Sequence, residues 1–196
     1  MIENLEAILL GAGLSKRMGT QKLLLPFANG TVIGTVLENL RGAGFAQVNA
    51  VLSREVAASL APYPAWLRVE INEAPERGQS SSLAIGLEMT NPESDFCIML
   101  ADLPLARAED TAALASRFCA LSPLKSVLTP CRDGVFGHPM FYRALWRRRF
   151  AQASGDMGGR AILKKYEAEI ERVEAGGGHF KDMDTPEDYQ ARLKGL

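Results

Sequence analysis

AILLGAGLSKRMGTQKLLLPFANG, residues 7–30, joins a short apolar run to a loop that is rich in glycine and positive charge. The apolar run is typical of a buried strand, and it ends at Gly11 and Gly13. Three cationic side chains follow: Lys16, Arg17 and Lys22. Glycines let the backbone approach a ligand, and cationic side chains neutralise phosphate oxygens. The stretch therefore predicts a phosphate-binding loop directly after a strand.

Strand-like and helix-like patterns alternate along the rest of the chain. Short apolar or alternating segments predict strands at residues 7–10, 47–52, 67–72, 96–101 and 126–131. Helical spacing and capping signals predict helices at residues 31–44, 53–63, 80–89, 160–166 and 184–193, with another inside 102–121. Strands that alternate with helices are typical of βαβ units and of a doubly wound, mostly parallel sheet. We therefore expect an α/β fold in a single domain over residues 1–196.

Composition and charge exclude several classes of partner. The chain has 196 residues and a net charge of −1, whereas nucleic-acid binding normally needs a basic face. No apolar run approaches the roughly 20 residues of a membrane span. The three cysteines show no metal-binding spacing and are typical of reduced thiols. We expect a cytoplasmic protein that binds neither nucleic acid nor membranes.

The glycine-rich loop does not match the two most common phosphate-binding motifs. In the dinucleotide fingerprint G-x-G-x-x-G, Lys16 stands where the third glycine is required. The P-loop motif also fails, because the loop contains no Gly-Lys-Ser or Gly-Lys-Thr. A dehydrogenase is therefore disfavoured, and no clear ribose-binding acid follows the second predicted strand. A simple glycine-rich turn with solvated charges remains the alternative to a phosphate site.

Asp102 directly follows the predicted strand at residues 96–101. Ligands of doubly wound sheets bind beyond the carboxyl ends of the strands, so this carboxylate would face the loop that carries Arg17 and Lys22. Magnesium prefers one or two carboxylates together with phosphate oxygens and water. Asp102 is thus a candidate metal ligand, and the alternative is a helix cap or turn residue.

Several motifs together resemble one known family. LGAGLSKRMGTQKLLLPF (10–27) resembles the signature loop of nucleotidyltransferases that share a Rossmann-like fold with sugar-nucleotide pyrophosphorylases. Five further motifs follow in that family's order: RGQSSSLAIGL (77–87), LADLPL (100–105), GHPMFY (137–142), GDMGGRAIL (155–163) and DMDTPEDY (182–189). The chain is most similar to the molybdenum cofactor nucleotidyltransferases, and within them to the CTP:molybdopterin cytidylyltransferases.

The resemblance implies a nucleotide-diphospho-sugar transferase-like fold and a defined reaction. CMP would pass from CTP to the phosphate of molybdopterin or the molybdenum cofactor, with Mg²⁺ or Mn²⁺, and pyrophosphate would leave. A molybdoenzyme that receives the product is a further expected partner. The alternatives are transfer of another nucleotide, such as GMP, transfer to a sugar phosphate or another small phosphorylated acceptor, and a non-catalytic nucleotide-binding chaperone of molybdoenzymes.

The same resemblance assigns roles to individual residues. The catalytic residues would be Arg17, Lys22 and Asp102, and the metal ligands Asp102 and Asp184. The nucleotide would contact Leu10, Gly11, Ala12, Gly13, Ser15, Lys22, Gln79, Ser80 and Ser82. The acceptor substrate would contact His138 and Arg160. Ordinary structural roles are the alternatives: a serine cap for residues 80–82, a helix cap for Asp184 and a structural hydrogen bond for His138. His179, in a run of glycines, receives no role.

Ala12 bears on the choice of base. In the family, members that transfer GMP tend to carry glycine at this position and members that transfer CMP alanine. A methyl group there narrows the base pocket and favours a pyrimidine. Gly11 departs from the family pattern, because these members more often have alanine at that position.

Overall fold

The computed structural model describes residues 4–13, 15, 18–151 and 159–194, without the side chains of 159–161. Its main sheet has eight strands: β1 (Leu5–Gly11), β4 (Val48–Leu52), β5 (Leu67–Ile71), β6 (Asp95–Leu100), β7 (Val127–Arg132), β8 (Val135–Phe136), β9 (Met140–Tyr142) and β10 (Ile170–Val173). The short strands β2 (Pro26–Phe27) and β3 (Gly30–Thr31) form a separate antiparallel pair. The described residues also form seven α-helices: α1 (Val32–Gly42), α2 (Arg54–Leu60), α3 (Gln79–Glu88), α4 (Ala108–Cys119), α5 (Trp146–Ala151), α6 (Gly159–Lys165) and α7 (Pro186–Leu193).

The strand order confirms the predicted doubly wound sheet. Along the sheet the strands follow the order β10-β7-β9-β6-β1-β4-β5, and β8 pairs with β7 outside this path. β1 lies between β6 and β4 and is parallel to both, and β5 is parallel to β4. The carboxyl ends of β1 and β6 are therefore neighbours. This arrangement places the glycine-rich loop beside Asp102, as the sequence predicts.

β9 was not predicted, and it makes the sheet mixed. It runs antiparallel to both β6 and β7 and separates them. The strand has only three residues, which is too short for an alternating pattern to be recognised in the sequence. Its side chains are all buried, so its place is determined by packing between two longer strands.

Helices cover both faces of the sheet because the apolar side chains of β1 point alternately to the two faces. Ala7 and Leu9 pack in one buried cluster with residues of α1, α2 and α4. Ile8 and Leu10 pack in a second cluster with residues of α5 and α6 and partly buried residues of α3. A strand that is buried on both faces needs a continuous apolar run, which the sequence of β1 provides.

Side-chain caps begin three of the helices, and one of them bears on the site. The Thr31 and Ser53 side chains accept hydrogen bonds from the first turns of α1 and α2. At α7 the cap is Thr185, which forms a reciprocal capping box with Asp188, and Pro186 is the first helical residue. The capping role considered for Asp184 thus belongs to its neighbour.

Among the residues that the structure places, no helix has both the length and the apolar character needed to cross a bilayer.

His179 is a buried structural residue rather than part of a flexible glycine run. Only 1% of its surface is exposed, and its Nδ1 lies 2.8 Å from the carbonyl oxygen of His138. The backbone N–H of His138 in turn donates to the carbonyl oxygen of His179 over 2.9 Å. Gly178 permits this packing, since a Cβ atom there would lie 1.9 Å from the carbonyl oxygen of Leu105. Burial lowers the pKa of the His179 imidazole.

The buried His179 predicts a loss of stability in mild acid. Its folded-state pKa lies below the value of about 6.5 expected in the unfolded chain. The contribution of neutral His179 to the free energy of unfolding is therefore complete above about pH 6.5. It falls as the pH drops below that value, by at most about 1.4 kcal/mol per pH unit for one proton. Urea unfolding between pH 7.5 and 5.5 should show this slope, and His179→Gln should flatten it.

His138→Gln is the matched control, since the chain contains two histidines. An equal pH slope in His179→Gln and in the unmodified protein would show that the buried imidazole does not cause the effect.

Candidate functional site

A cleft of about 210 Å³ lies beyond the carboxyl ends of β1 and β6. Its walls come from β1 and the following loop, from the turn at Lys22–Leu24, from residues 75–82 and from the end of β6. Eight of the predicted site residues line this cleft: Leu10, Gly11, Ala12, Gly13, Lys22, Gln79, Ser82 and Asp102.

Other predicted site residues lie elsewhere or outside the described part of the chain. The Ser15 hydroxyl donates to Gln21 Oε1 over 2.9 Å and accepts from the Lys22 backbone N–H, so it shapes the loop. Ser80 is exposed and is absent from the cleft lining. Arg17 lies outside the described residues. Arg160 belongs to α6, but its side chain is also outside the described part.

Lys22 joins the two predicted metal ligands. Its Nζ lies 2.5 Å from Asp102 Oδ2 and 2.9 Å from Asp184 Oδ1. The Lys22 and Asp102 side chains are only 13% and 15% exposed, and that of Asp184 is 31% exposed. Burial acts to lower the pKa of Lys22, but the two carboxylates outweigh it and raise the pKa above its ordinary value. The side chain is therefore a fixed ammonium ion.

One carboxylate oxygen of Asp102 is available to a ligand. Among the described residues, its second carboxylate oxygen, Oδ1, is buried and finds no hydrogen-bond partner. Burying a polar atom without a partner costs free energy, so such an atom points to a ligand or cation that completes it. No three His, Cys, Asp or Glu side chains within the described ranges form a metal site by themselves.

Asp182 adds further negative charge to this cluster. Its pKa is raised by burial first and then by the neighbouring carboxylates of Asp184 and Asp102, while Lys22 acts in the opposite direction. Among the described residues, the carboxyl groups of Asp102, Asp182 and Asp184 thus lie near the single ammonium ion of Lys22. This excess of negative charge favours binding of a cation.

The unusual glycine at position 11 has a structural cause. A Cβ atom on Gly11 would lie 2.8 Å from Leu52 Cδ2 and 2.9 Å from the Cβ of Ala101. Ala101 therefore occupies the space that an alanine at position 11 would need. Ala12, the next residue, is 4% exposed and lines the cleft.

His138 is not part of the cleft wall. Its Nδ1 is 3.1 Å from the carbonyl oxygen of Ile98 in β6, and the residue is half-buried. His138 does not contribute to the lining of the cleft. Contact with a second substrate stays a prediction for this residue.

The sequence analysis missed Asn72, which connects the residues of one cleft wall. The Asn72 side chain is bonded to Ala74, Ser81 and Ser82, and Ser82 lines the cleft. Asn72 directly follows β5, so the rule that ligands bind beyond the carboxyl ends of strands pointed to this position. Its partners, however, are set by the fold.

Comparison with known proteins agrees with this architecture. The MobA-like NTP transferase domain family matches residues 7–170 of the chain. The purine catabolism protein PucB of Bacillus subtilis (strain 168) is 30% identical over 200 residues, which cover 93% of this chain and 92% of PucB.

Solved structures show the same fold over nearly the whole chain. Rv0371c from Mycobacterium tuberculosis H37Rv superposes with a TM-score of 0.82 at 27% identity and covers 97% of both chains. A second structure of Rv0371c, in complex with manganese, gives a TM-score of 0.78 at 24% identity, over 98% of this chain and 99% of that one. The nucleotidyl transferase Mth528 from Methanothermobacter thermautotrophicus gives 0.81 at 20% identity, over 97% of this chain and 96% of that one.

The family match and the shared fold thus agree with the family resemblance that the sequence motifs predict. The chain belongs to the MobA-like NTP transferase family and is a nucleotidyltransferase.

Proposed function

We propose that the protein transfers CMP from CTP to the phosphate of molybdopterin or the molybdenum cofactor and releases pyrophosphate. The observation that carries this proposal is the group formed by Lys22, Asp102 and Asp184, of which Lys22 and Asp102 line the cleft. It combines a cation for phosphate oxygens with carboxylates for a metal ion. The acceptor is inferred from the family resemblance.

Asp102 and Asp184 fit the requirements of a divalent cation. Asp102 offers a buried, unpartnered oxygen, and oxygen ligands are those that Mg²⁺ and Mn²⁺ prefer. A structure of the relative Rv0371c contains manganese, which supports the proposal of a divalent metal for this chain. The cation would neutralise phosphate charge and orient the nucleotide. Asp102 and Asp184 would hold the cation, which would supply positive charge at the phosphates.

The residues of the chain supply positioning and charge. The acceptor is a phosphate monoester and already anionic, so one of its oxygens attacks the α-phosphorus without a general base. A new bond forms between the acceptor oxygen and the α-phosphorus. The bond between the α-phosphorus and the oxygen that bridges it to the β-phosphate breaks, and pyrophosphate leaves with that electron pair. Lys22 would stabilise the charge that develops on the leaving pyrophosphate, together with Arg17. The loop amides near Ala12 and Gly13 would hold the phosphates, and His138 and Arg160 would contact the acceptor.

The proposed preference for CTP rests on Ala12. This methyl group is buried in the cleft wall, and the turn that carries it packs tightly against Ala101 through Gly11. A turn with little room to move cannot easily shift to admit a larger base. A pyrimidine is therefore favoured over a purine.

Pyrophosphate release tests the function directly. The protein is incubated with each of the four ribonucleoside triphosphates, with and without molybdopterin in its free and molybdenum-loaded forms. Release that requires both CTP and one of these acceptors supports the proposal. Pyrophosphate release with another acceptor or nucleotide would overturn the assignment of molybdopterin or CTP. Nucleotide binding without pyrophosphate release would indicate a nucleotide-binding chaperone.

We expect Asp102→Asn to lower turnover by a factor of about 100 or more, because the amide removes the negative charge on which the metal depends. Binding of Mn²⁺ in the presence of CTP, followed by electron paramagnetic resonance, should weaken in parallel. Asp95→Asn is the matched control, since Asp95 lies at the amino end of the same strand and pairs with Arg143. Near-normal turnover in Asp102→Asn, with an unchanged circular dichroism spectrum, would remove Asp102 from the mechanism.

Lys22→Met should separate metal binding from turnover. The Lys22 ammonium lies within 3 Å of both carboxylates and neutralises part of their charge, so its removal should make them more attractive to a cation. Without nucleotide, we expect the variant to bind Mn²⁺ about tenfold more tightly than the unmodified protein, while its turnover falls.

The control for this variant is Lys125→Met, whose Nζ donates to the backbone carbonyls of Ala168 and Ile170. Unchanged Mn²⁺ affinity in Lys22→Met would show that the ammonium does not weaken metal binding by the two carboxylates. An effect on nucleotide affinity alone would make Lys22 a binding residue only.

Ala12→Gly should reduce discrimination between CTP and GTP. One methyl group in a pocket contributes about 1–3 kcal/mol, which corresponds to roughly ten- to two-hundredfold between substrates. The ratio of kcat/KM values for CTP and GTP should therefore fall toward unity in this variant. Ala106→Gly, buried outside the cleft, controls for a general effect of an added glycine. Equal use of both nucleotides by the unmodified protein would contradict the assignment of the base.

A further inference from the structure

We propose that Asn72 is a positioning residue of the nucleotide site. It fixes the segment that leads into α3 and keeps the hydroxyl proton of Ser82 available for an acceptor atom of the nucleotide. The inference rests on the proposed function in one respect, because it takes the cleft beside Ser82 as the place where the nucleotide binds. It does not depend on which base is preferred.

The backbone of Asn72 is fixed by the sheet. The residue follows the last residue of β5, and its N–H donates to the carbonyl oxygen of Leu52 at the end of β4 over 3.0 Å. Its side chain is almost completely buried, with 4% of the residue exposed. A buried amide with a rigid backbone holds its partners in a fixed geometry.

The amide of Asn72 connects both ends of a segment that contributes to the cleft. Its Oδ1 accepts from the backbone N–H of Ala74 over 2.9 Å. Its Nδ2 donates to Ser81 Oγ and Ser82 Oγ, each over 2.9 Å. Pro75 and Gly78, which lie between these attachment points, line the cleft. The Asn72 side chain therefore fixes the position of residues 74–82 in the cleft wall.

The chemistry of the partners fixes the orientation of the amide. The Ala74 N–H can only donate, so the atom that faces it must be the Asn72 oxygen, and the amide nitrogen must face the two hydroxyl groups. The Ser81 hydroxyl uses its single proton in a 2.7 Å bond to the carbonyl oxygen of Gly78. Its oxygen therefore has to accept from Asn72.

Ser82 differs from Ser81 in the use of its proton. The Ser82 oxygen accepts from Asn72, but no described residue accepts the Ser82 hydroxyl proton. Ser82 is 5% exposed and lines the cleft, so its proton is available to a ligand there. The nucleotide group that meets it must be a hydrogen-bond acceptor, such as a carbonyl oxygen, a ring nitrogen or a ribose oxygen.

An aspartate at position 72 cannot replace the asparagine. Its carboxylate would present an acceptor to Ser81, whose proton is already committed, and would draw the proton of Ser82 away from the cleft. Asn72→Asp and Asn72→Leu should therefore damage nucleotide binding by different routes. Asp changes the hydrogen bonds at similar size and shape, whereas Leu removes them.

Binding and turnover in matched variants test the inference. Calorimetry gives the Kd of each of the four nucleoside triphosphates, and kcat/KM is measured with the preferred one. We expect both Asn72 variants to weaken binding of that nucleotide by about tenfold and to reduce its advantage over the other three. Asn49→Asp and Asn49→Leu are the controls, since Asn49 is buried at the amino end of β4 and donates to Glu6. They should lower the melting temperature and leave the four Kd values within about twofold.

A double-mutant cycle tests whether Asn72 acts through Ser82. Ser82→Ala should weaken binding of the preferred nucleotide about as much as Asn72→Leu, and the double variant should be little worse than either. Independent, multiplying effects would overturn the inference. Unchanged Kd values in Asn72→Asp would also overturn the inference. If the Asn72 variants do not fold, unchanged Kd values in Ser82→Ala would overturn it instead. A preference for GTP in the unmodified protein would overturn the proposed base. The Asn72 inference would then be tested by the effect of the same variants on the Kd of GTP.

Discussion

Lys22 carries one positive charge between two carboxylates that lie 80 and 162 residues further along the chain. The contact connects the glycine-rich loop after β1, the end of β6 and the segment before α7. Without the ammonium, Asp102, Asp182 and Asp184 would repel one another in a partly buried site, where burial and then the two neighbouring carboxylates already raise the pKa of Asp182. The charge of Lys22 therefore stabilises the arrangement of three separate segments, and the same charge is suited to phosphate.

The sheet makes this contact possible. β1 and β6 are adjacent and parallel, so their carboxyl ends deliver the loop and Asp102 to one edge. The buried strands supply rigidity, since both faces of β1 pack against helices. Side chains held by such a frame keep their spacing when a ligand binds, and phosphoryl-group transfer depends on positioning and charge more than on covalent chemistry.

Much of the fold and part of the site could be predicted from local patterns. Apolar runs marked β1 and β6, and two residues from the segments that follow them, Lys22 and Asp102, are in contact at the cleft. β9 escaped prediction because three buried residues contain no periodic signal, and its antiparallel direction comes from the strands on either side. His179 escaped for a related reason, because its burial depends on close approach of Gly178 to Leu105.

The sequence by itself determined the alternation of strands and helices, the loop that follows β1 and the candidate residues at the strand ends. These features follow from side-chain periodicity and from backbone preferences, which act over a few neighbouring residues. Only the tertiary structure decided that Lys22 bridges Asp102 and Asp184, that Thr185 rather than Asp184 caps α7, and that the Asn72 amide donates to Ser82. Hydrogen bonds and ion pairs of this kind depend on distances of about 3 Å between segments far apart in the chain, and only the packed sheet and helices fix such distances.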